Sequence, residues 1–313
     1  MKTAYSLNSV NRSYQEPNIN RYALKFFWED FLQEIAGGGF KAIEMPFSTQ
    51  GKVRSWDPFS KVQLDARFGG AEEFTKLLNA DGIDKVAGLA FTPTLGASFE
   101  GPFVPPTVDS FAKGIVDGGK ALLETAKDLG CEYVVISASP AVASMRGLLD
   151  DENALFDKMA AAYGELADIA GDIKICIRNE FWGVARGNKI FDLMAKVDKR
   201  IGICVSLAHI AIAGVCPIEF IKKAGDRIGC VTLTDTSFED KEDLWQSGSP
   251  TLPKKPTQIF KDFGQGSLDL KAIFAALKEV GFDGWATVEN SQTLQYSRSI
   301  LRSRYALDEI EEA

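Results

Sequence analysis

Strand-like and helix-like segments alternate along the whole 313-residue chain. Short apolar runs of strand length are each followed by a longer segment with helical character. This alternation is typical of parallel βα units, because two parallel strands need a crossover connection that a helix supplies. The eight predicted strands are Ala4–Asn8, Ala42–Phe47, Lys85–Thr92, Glu132–Ser139, Ile173–Glu180, Ile201–Ser206, Ile228–Asp235 and Trp285–Asn290.

The segments between these strands carry helix signals. In the segment 152–170, Leu155, Met159, Tyr163 and Leu166 fall on one helical face. Eight strands with intervening helices, in a chain of this length, predict a (β/α)8 barrel. The sequence has no linker and no break in composition, so we expect residues 1–313 to form a single domain.

The longest predicted loops follow the second, third and seventh strands and cover about residues 48–69, 93–106 and 236–266. Loops that follow strands lie at the C-terminal end of such a barrel, where the active sites of these folds are built. Loops this long inside a domain are uncommon and are often functional. We therefore expect them to lie at the catalytic face and to cover a small ligand.

Four apolar strands end in polar residues. Glu180 ends the fifth strand and Glu289 the eighth, Ser206 and His209 follow in ICVSLAH, and Thr232 and Asp235 follow in CVTLTD. Side chains alternate between the two faces of a strand. With the apolar isoleucines and valines facing the helices, the interior receives Lys174, Cys176, Arg178 and Glu180, then Gly202, Cys204 and Ser206, then Thr232, and finally Thr287 and Glu289.

This alternation makes Glu180 and Glu289 an inward-facing pair at the barrel mouth. Buried carboxylates need a cation or hydrogen bonds. Arg178 lies on the same face of the same strand as Glu180 and is an inward candidate for that cation. The alternatives are that both glutamates are hydrogen-bonded surface loop residues and that Arg178 pairs elsewhere.

Charge and cysteine usage limit the class of protein. With 35 Lys and Arg against 43 Asp and Glu, the formal charge is −8, which argues against a nucleic-acid partner because such proteins usually carry a basic face. No apolar run approaches the roughly 18 residues of a membrane span, and the N-terminus lacks the apolar core of a signal peptide. The five cysteines contain no CxxC pair and suit the core of a cytoplasmic protein.

From Glu180 onward the chain resembles the sugar phosphate isomerase/epimerase superfamily. This group of xylose isomerase-like TIM barrels includes sugar 3-epimerases, inosose dehydratase and metal-dependent apurinic endonucleases. The resemblance rests on Glu180, on Ser206-Leu-Ala-His209, on Thr232-Leu-Thr-Asp235 and on the segment 281–289, GFDGWATVE. It covers roughly the second half of the chain, and the first half agrees in pattern only.

The resemblance implies a divalent metal (Mn, Mg, Co or Zn) held by Glu, Asp, His and Glu at the ends of strands five to eight. By position these become Glu180, Ser206, Thr232 and Glu289, and two of the four are poor metal ligands. Either Glu180, His209, Asp235 and Glu289 form a shifted metal site, or the site has no metal. We favour the second hypothesis, in which Arg178 supplies the positive charge between Glu180 and Glu289.

The resemblance implies a sugar or polyol isomerase or epimerase that transfers a proton α to a carbonyl. We expect Glu180 and Glu289 to be the catalytic pair. Alternatives are an inosose-type dehydratase and a non-catalytic sugar-binding barrel. A nuclease of this group needs several His ligands, and because His209 is the single histidine, the sequence argues against nuclease activity. The resemblance also implies a homo-oligomer. The expected substrate-binding residues are Arg178, Trp182, Ser206, His209, Thr232 and Asp235, with Trp56 and Trp245 as further candidates for stacking on a sugar ring.

Overall fold

Each strand pairs in parallel with the strand that follows it in the sequence, and the last strand pairs with the first, so that the sheet closes into a barrel. The computed structural model describes residues 1–9, 24–49, 56–93, 107–138, 151–241, 258–293 and 295–312. The predicted (β/α)8 fold is confirmed. The strands are β1 Lys2–Ser6, β2 Ala42–Phe47, β3 Lys85–Phe91, β4 Tyr133–Ser137, β5 Lys174–Arg178, β6 Gly202–Ser206, β7 Ile228–Leu233 and β8 Trp285–Val288.

Helices occupy the connections between the strands. They are α1 Lys25–Gly37, α2 Lys61–Gln63, α3 Ala71–Ala80, α4 Val108–Asp128, α5 Glu152–Ile169, α6 Ile190–Lys196, α7 Leu207–Ile212, α8 Pro217–Ala224, α9 Leu270–Glu279 and α10 Tyr296–Glu311. Local sequence sets several starts: Thr107 and Ser110 form a capping box before α4, and Pro217 occupies the first turn of α8. Among the described residues, none of the helices combines the length and apolar character that crossing a membrane requires.

The short helix α7 is absent from the sequence prediction, which treats ICVSLAH as a strand end. In the structure Ser206 is still extended, and the helix begins at the next residue. Five of its six residues are buried, so the segment has no polar face and no helical periodicity to detect. The consequence is that His209 lies on a helix rather than at a strand end.

The strand faces are as predicted. Ile175 and Ile177 of β5, like Ile203 and Val205 of β6, pack in the large cluster formed with the outer helices. The barrel interior holds a separate cluster consisting of Ala4, Ala42, Ala87, Tyr133, Val135, Cys176, Cys204, Cys230 and Trp285. Three of the five cysteines are therefore interior core residues, as expected, and Cys131 is also buried, whereas Cys216 is exposed.

A charged cluster closes the N-terminal end of the barrel. The Glu132 carboxylate accepts hydrogen bonds from Lys2 Nζ (2.7 Å), Lys85 Nζ (2.5 Å) and Trp285 Nε1 (2.7 Å). Burial alone would raise the pKa of Glu132, but these three donors outweigh it and lower the pKa to about 2. This end of the barrel is thus tied together by β1, β3, β8 and the residue preceding β4, which leaves the C-terminal end for a functional site.

Candidate active site

An arginine and a glutamate form a buried ion pair at the C-terminal end of the barrel. Arg178 is the last residue of β5, and Glu289 directly follows β8. The Nη1 atom of Arg178 lies 3.6 Å from Oε1 of Glu289, and the two side chains are only 7% and 10% exposed. Burial alone would lower the pKa of Arg178, but the surrounding acids, Glu289 foremost, raise it above its ordinary value. The guanidinium is therefore a fixed positive charge.

Each of the two predicted catalytic glutamates is held by a serine from a neighbouring strand end. Ser137 Oγ donates to Glu180 Oε1 at 3.0 Å, and Ser6 Oγ donates to Glu289 Oε2 at 3.0 Å. Both glutamates are 8% exposed. They are hydrogen-bonded, but they are buried at the barrel mouth and are not surface loop residues. The two serines, which the sequence analysis missed, lie at the ends of β4 and β1.

A third carboxyl group lies in the barrel interior and was also missed. Glu44, in the middle of β2, is 1% exposed, and Tyr133 OH donates to its Oε2 at 2.7 Å. Burial raises the pKa of Glu44 to about 7, although the charge of Arg178 lowers it, and the charge of Glu289 raises it further. The available signal was a charged residue at an inward position of the apolar run AIEMPF.

Tyr133 spans part of the barrel interior. Its hydroxyl oxygen lies 2.7 Å from Thr287 Oγ1 as well as contacting Glu44. A Cβ atom added to Gly88 of β3 would lie 2.5 Å from the Tyr133 ring, so the ring occupies the space that the glycine leaves. Glu44, Tyr133 and Thr287 thus form a connected group from β2, β4 and β8.

His209 is buried in an aromatic cluster beside the mouth. Its ring centroid lies 5.5 Å from Phe181, 4.8 Å from Trp182 and 5.1 Å from Phe260. The Phe181 backbone N–H donates to His209 Nδ1 at 3.2 Å. Burial, reinforced by the charge of Arg178, lowers the pKa of His209 to about 3. The imidazole is therefore neutral, and because Nδ1 is an acceptor, Nε2 carries the proton and can donate.

The two hydroxyl residues at the expected metal positions are buried in the wall of the barrel. Ser206 is 0% exposed, and its Oγ has no hydrogen-bond partner within the described residues. Thr232 Oγ1 lies 3.3 Å from Cys204 Sγ. Both residues face inward, as predicted. Because Ser206 has no exposed surface, its expected contact with substrate stays a prediction to which the structure lends no support.

Asp235 has a structural role that the sequence did not reveal. Its Oδ1 accepts from the backbone N–H groups of Thr236 (2.8 Å) and Leu268 (3.3 Å), and its Oδ2 accepts from that of Gly266 (2.9 Å). Burial raises the pKa of Asp235, and these N–H groups lower it in part. The carboxylate anchors the segment that leads into α9. Its expected contact with substrate or metal stays a prediction to which these bonds lend no support.

Two predicted stacking tryptophans can be placed. Trp182 packs edge-on against the His209 ring, with an interplanar angle of 78°, so it belongs to the wall of the site. Trp56 instead has the Arg67 guanidinium 4.9 Å from its ring centroid and packs against Phe68. Trp245 and most of the long loops after β3 and β7 lie outside the described residues.

The donor set does not fit a divalent metal. Of the four positions, Ser206 and Thr232 offer neutral hydroxyls, and Glu180 accepts a hydrogen bond from Ser137. Glu289 is paired with the Arg178 guanidinium, whose positive charge would repel a metal ion. The shifted set fares no better, because Asp235 binds three backbone N–H groups and His209 Nδ1 accepts another. Within the described ranges, no group of three or more His, Cys, Asp or Glu side chains is arranged to hold a metal.

Comparisons with known proteins agree with the barrel fold and with the family resemblance found in the sequence. A family model described as xylose isomerase-like TIM barrel matches residues 32–305. An inosose isomerase from Bacillus licheniformis is 28% identical over 188 residues, which cover 56% of this chain and 59% of that protein. An inosose dehydratase from Lacticaseibacillus casei is 24% identical over 177 residues, covering 52% and 59%. The match thus spans about three fifths of the length of these curated relatives.

Solved structures show the same fold at low identity. A crystal structure described as the IOLI protein with a binding zinc atom superposes with a TM-score of 0.66. The superposition covers 99% of this chain and 98% of that one, at 19% sequence identity. At that identity the likeness establishes the barrel architecture and not the chemistry.

Proposed function

The chain belongs to the xylose isomerase-like TIM barrel family, and from that premise we propose that it is an enzyme that moves a proton at a carbon next to the carbonyl group of a small sugar or polyol. The observation that carries the proposal is the pair of buried carboxylates, Glu180 and Glu289, with the Arg178 guanidinium beside Glu289. General acid–base catalysis on a C–H bond needs such positioned carboxylates next to a charge that stabilises the developing oxyanion.

The proposed reaction begins with one carboxylate taking the proton from the substrate carbon. The C–H bond breaks, and its electron pair moves toward the carbonyl oxygen to give an enediolate. Return of a proton to the opposite face of the same carbon gives an epimer. Delivery of the proton to the former carbonyl carbon gives an isomer, with the enediolate oxygen gaining a proton and the neighbouring hydroxyl losing one to become the new carbonyl. The hydrogen bonds from Ser137 to Glu180 and from Ser6 to Glu289 fix the orientation of each carboxylate for these transfers.

Arg178 supplies the positive charge that the enediolate oxygen requires. Its guanidinium is buried and permanently charged, and a charge in a site sheltered from water acts more strongly than one in solution. The proposed reaction uses no metal ion, because the residues at the expected metal positions do not fit one and the Arg178 guanidinium already supplies a positive charge beside Glu289.

His209 orients the substrate in this proposal. The neutral ring presents Nε2–H as a donor to a substrate hydroxyl, while the Phe181 N–H holds Nδ1. The pKa of about 3 keeps the ring neutral throughout the physiological range, so it donates without competing for the transferred proton. The Trp182 and Phe260 rings both pack edge-on against the imidazole and help to fix its orientation.

Inosose-type dehydration is a second candidate, favoured by the similarity to the inosose dehydratase from Lacticaseibacillus casei. Dehydration begins with the same removal of a proton next to a carbonyl. It differs in that the electron pair expels a hydroxyl group from the neighbouring carbon, with a carboxylic acid donating the proton that makes it leave as water. The same residues serve both reactions, so the products discriminate between them.

Turnover of a panel of ketoses and inososes in deuterium oxide tests the proposal. Proton NMR follows the loss of the C–H signal next to the carbonyl and identifies epimer, isomer or dehydrated product. We expect exchange by the wild type, and at least about 100-fold slower exchange by Glu289→Gln and Glu180→Gln. The matched control is Glu309→Gln, at an exposed position on α10, which should exchange at the wild-type rate. Sugar binding without exchange would contradict the proposal and favour a non-catalytic barrel.

A further inference from the structure

We propose that Glu44 is a positioning residue for Arg178, and that its buried carboxyl determines how much of the Arg178 charge is available to a ligand at the barrel mouth. Its catalytic consequence rests on the proposed function, but the coupling between the two side chains does not. Glu44 lies in the barrel wall at 1% exposure, too buried to touch a substrate. Its register partner on β1 is Ser6, whose hydroxyl donates to Glu289, the ion-pair partner of Arg178. Glu44 would therefore act through Arg178.

Hydrogen bonds connect Glu44 through Tyr133 to Thr287 of β8, the strand that Glu289 directly follows. Tyr133 OH donates to Glu44 and lies 2.7 Å from Thr287 Oγ1. Thr287 lies on β8 two residues before Glu289, which directly follows the strand, and the two therefore face the same side of the sheet. The space left by Gly88 lets the Tyr133 ring lie in the interior and reach Glu44. Glu44 thus has a dedicated hydrogen-bond donor, Tyr133, and the barrel leaves room for the ring of that donor at Gly88. An ionisable residue buried by chance would need neither.

The charges around Glu44 come from several strands. Arg178 of β5 stabilises its ionised form, Glu289 after β8 opposes ionisation, and Tyr133 of β4 donates a hydrogen bond. Burial raises the pKa of the Cys131 thiol, just before β4, and the charge of Glu44 adds to that rise. Glu44, Glu180 and Glu289 all raise the pKa of Arg178, so these three carboxylates outnumber the one guanidinium that they share when all three are ionised. Binding one proton relieves this excess, and Glu44, the most deeply buried of the three, is the group that holds it.

The protonation state of Glu44 then changes how strongly Arg178 can attract a negatively charged oxygen at the barrel mouth. With Glu44 protonated, the guanidinium is shared only by Glu180, Glu289 and whatever binds at the mouth. With Glu44 ionised, a third buried carboxylate attracts the same guanidinium from within the barrel and competes with an enediolate oxygen. The transition falls near pH 7, where the pKa of Glu44 lies. We therefore expect stabilisation of an oxyanion to weaken as the pH rises through this region.

NMR of the protein labelled with ¹⁵N-arginine tests the coupling without a substrate. The Arg178 Nε–H signal, assigned by its loss in Arg178→Lys, should move with a midpoint near pH 7 in the wild type. In Glu44→Gln, which keeps an acceptor for Tyr133 but carries no charge, the movement should disappear. In Tyr133→Phe, which removes a hydrogen bond to the ionised carboxylate, the midpoint should rise by roughly one pH unit. An Arg178 signal that does not move in the wild type, or that moves equally in Glu44→Gln, would overturn the proposal.

The pH dependence of kcat/KM, measured on any substrate that the panel identifies, separates this proposal from the proposed function. A fall in kcat/KM near pH 7 in the wild type that is absent in Glu44→Gln, with KM little changed, supports a positioning role. If the panel shows no turnover but the NMR transition is present, the proposed function fails and the coupling stands. If turnover occurs with no NMR transition and the same pH profile in both proteins, the coupling fails and the proposed function stands.

Discussion

Arg178 Nη1 lies 3.6 Å from Glu289 Oε1, and both side chains are at least nine-tenths buried. Two charges removed from water in this way stabilise each other only while both are present. The pair lies where the ends of β5 and β8 meet the mouth of the barrel. It links the stability of the fold to the electrostatics of the candidate site, so both properties should respond to the same substitutions.

Removal of Arg178 should cost far more stability than removal of a surface cation. Arg178→Met leaves the Glu289 carboxylate buried without its counter-ion, so we expect the free energy of unfolding to fall by about 3–5 kcal/mol. Arg178→Met combined with Glu289→Gln should recover part of that loss. The control is Lys113→Met, which breaks an exposed pair with Asp117 and should cost under about 1 kcal/mol. Urea unfolding of the wild type and these three variants measures the losses, and equal losses for Arg178→Met and Lys113→Met would contradict the interpretation.

Glu44 should make stability depend on pH in a known direction. Its pKa is about 7 in the folded protein against an ordinary value of 4.5, so between these values the folded state binds a proton that the unfolded chain has released. Its contribution is fully present below pH 4.5 and is lost as the pH rises to about 7. We expect a loss on the order of a few kcal/mol over that range. The difference between wild type and Glu44→Gln in urea unfolding isolates it, and a difference independent of pH would refute it.

Substitution by alanine should lower the stability of the protein at Gly88 and raise it at Gly164. At Gly88 a Cβ would lie 2.5 Å from the Tyr133 ring, whereas at Gly164 in α5 nothing lies within 4 Å. Gly88→Ala should destabilise the protein by about 1–3 kcal/mol through overpacking, and Gly164→Ala should stabilise it by about 0.5–1 kcal/mol through helix propensity. Thermal unfolding compares the two. A neutral Gly88→Ala would mean that the Tyr133 ring does not fill this space.

Asp235→Asn should affect the loop before α9 more than ligand binding. The variant replaces a carboxylate that accepts three backbone N–H bonds with an amide whose NH2 group cannot accept. We expect a loss of about 1–3 kcal/mol in the free energy of unfolding, with faster hydrogen exchange at the Gly266 and Leu268 amides. A large rise in KM with unchanged stability would instead indicate that Asp235 contacts substrate, as the sequence resemblance implies.

The fold followed from the sequence because its signals are local and repeated. Alternating strand and helix patterns recur along the chain, and the parity of each strand separated Ile175 and Ile177 from Cys176 and Arg178 correctly. Strand ends were less well predicted: β5 ends at Arg178 rather than Glu180. Helix α7 was missed because its burial removes the periodicity on which prediction relies.

The site was only partly predictable because its partners come from distant segments. Parity placed Arg178 inward on the face of Glu180, the resemblance suggested that it lies between Glu180 and Glu289, and the structure pairs it with Glu289. The serines Ser6 and Ser137 and the acid Glu44 belong to the first half of the chain, where the resemblance offered no motif. Their contacts with Glu289, Glu180 and Tyr133 join residues separated by 283, 43 and 89 positions, and no local pattern specifies such contacts.

In our proposal Arg178 provides the positive charge for which the sequence resemblance implies a metal. The most direct test is the rate of C–H to C–D exchange on the active panel substrate after dialysis against EDTA, with and without added Mn²⁺. We predict that exchange persists in the dialysed wild type, that Mn²⁺ leaves the rate unchanged, and that Arg178→Met abolishes it in both conditions. Exchange that disappears on dialysis and returns with Mn²⁺ would contradict the account and assign the positive charge to a bound metal.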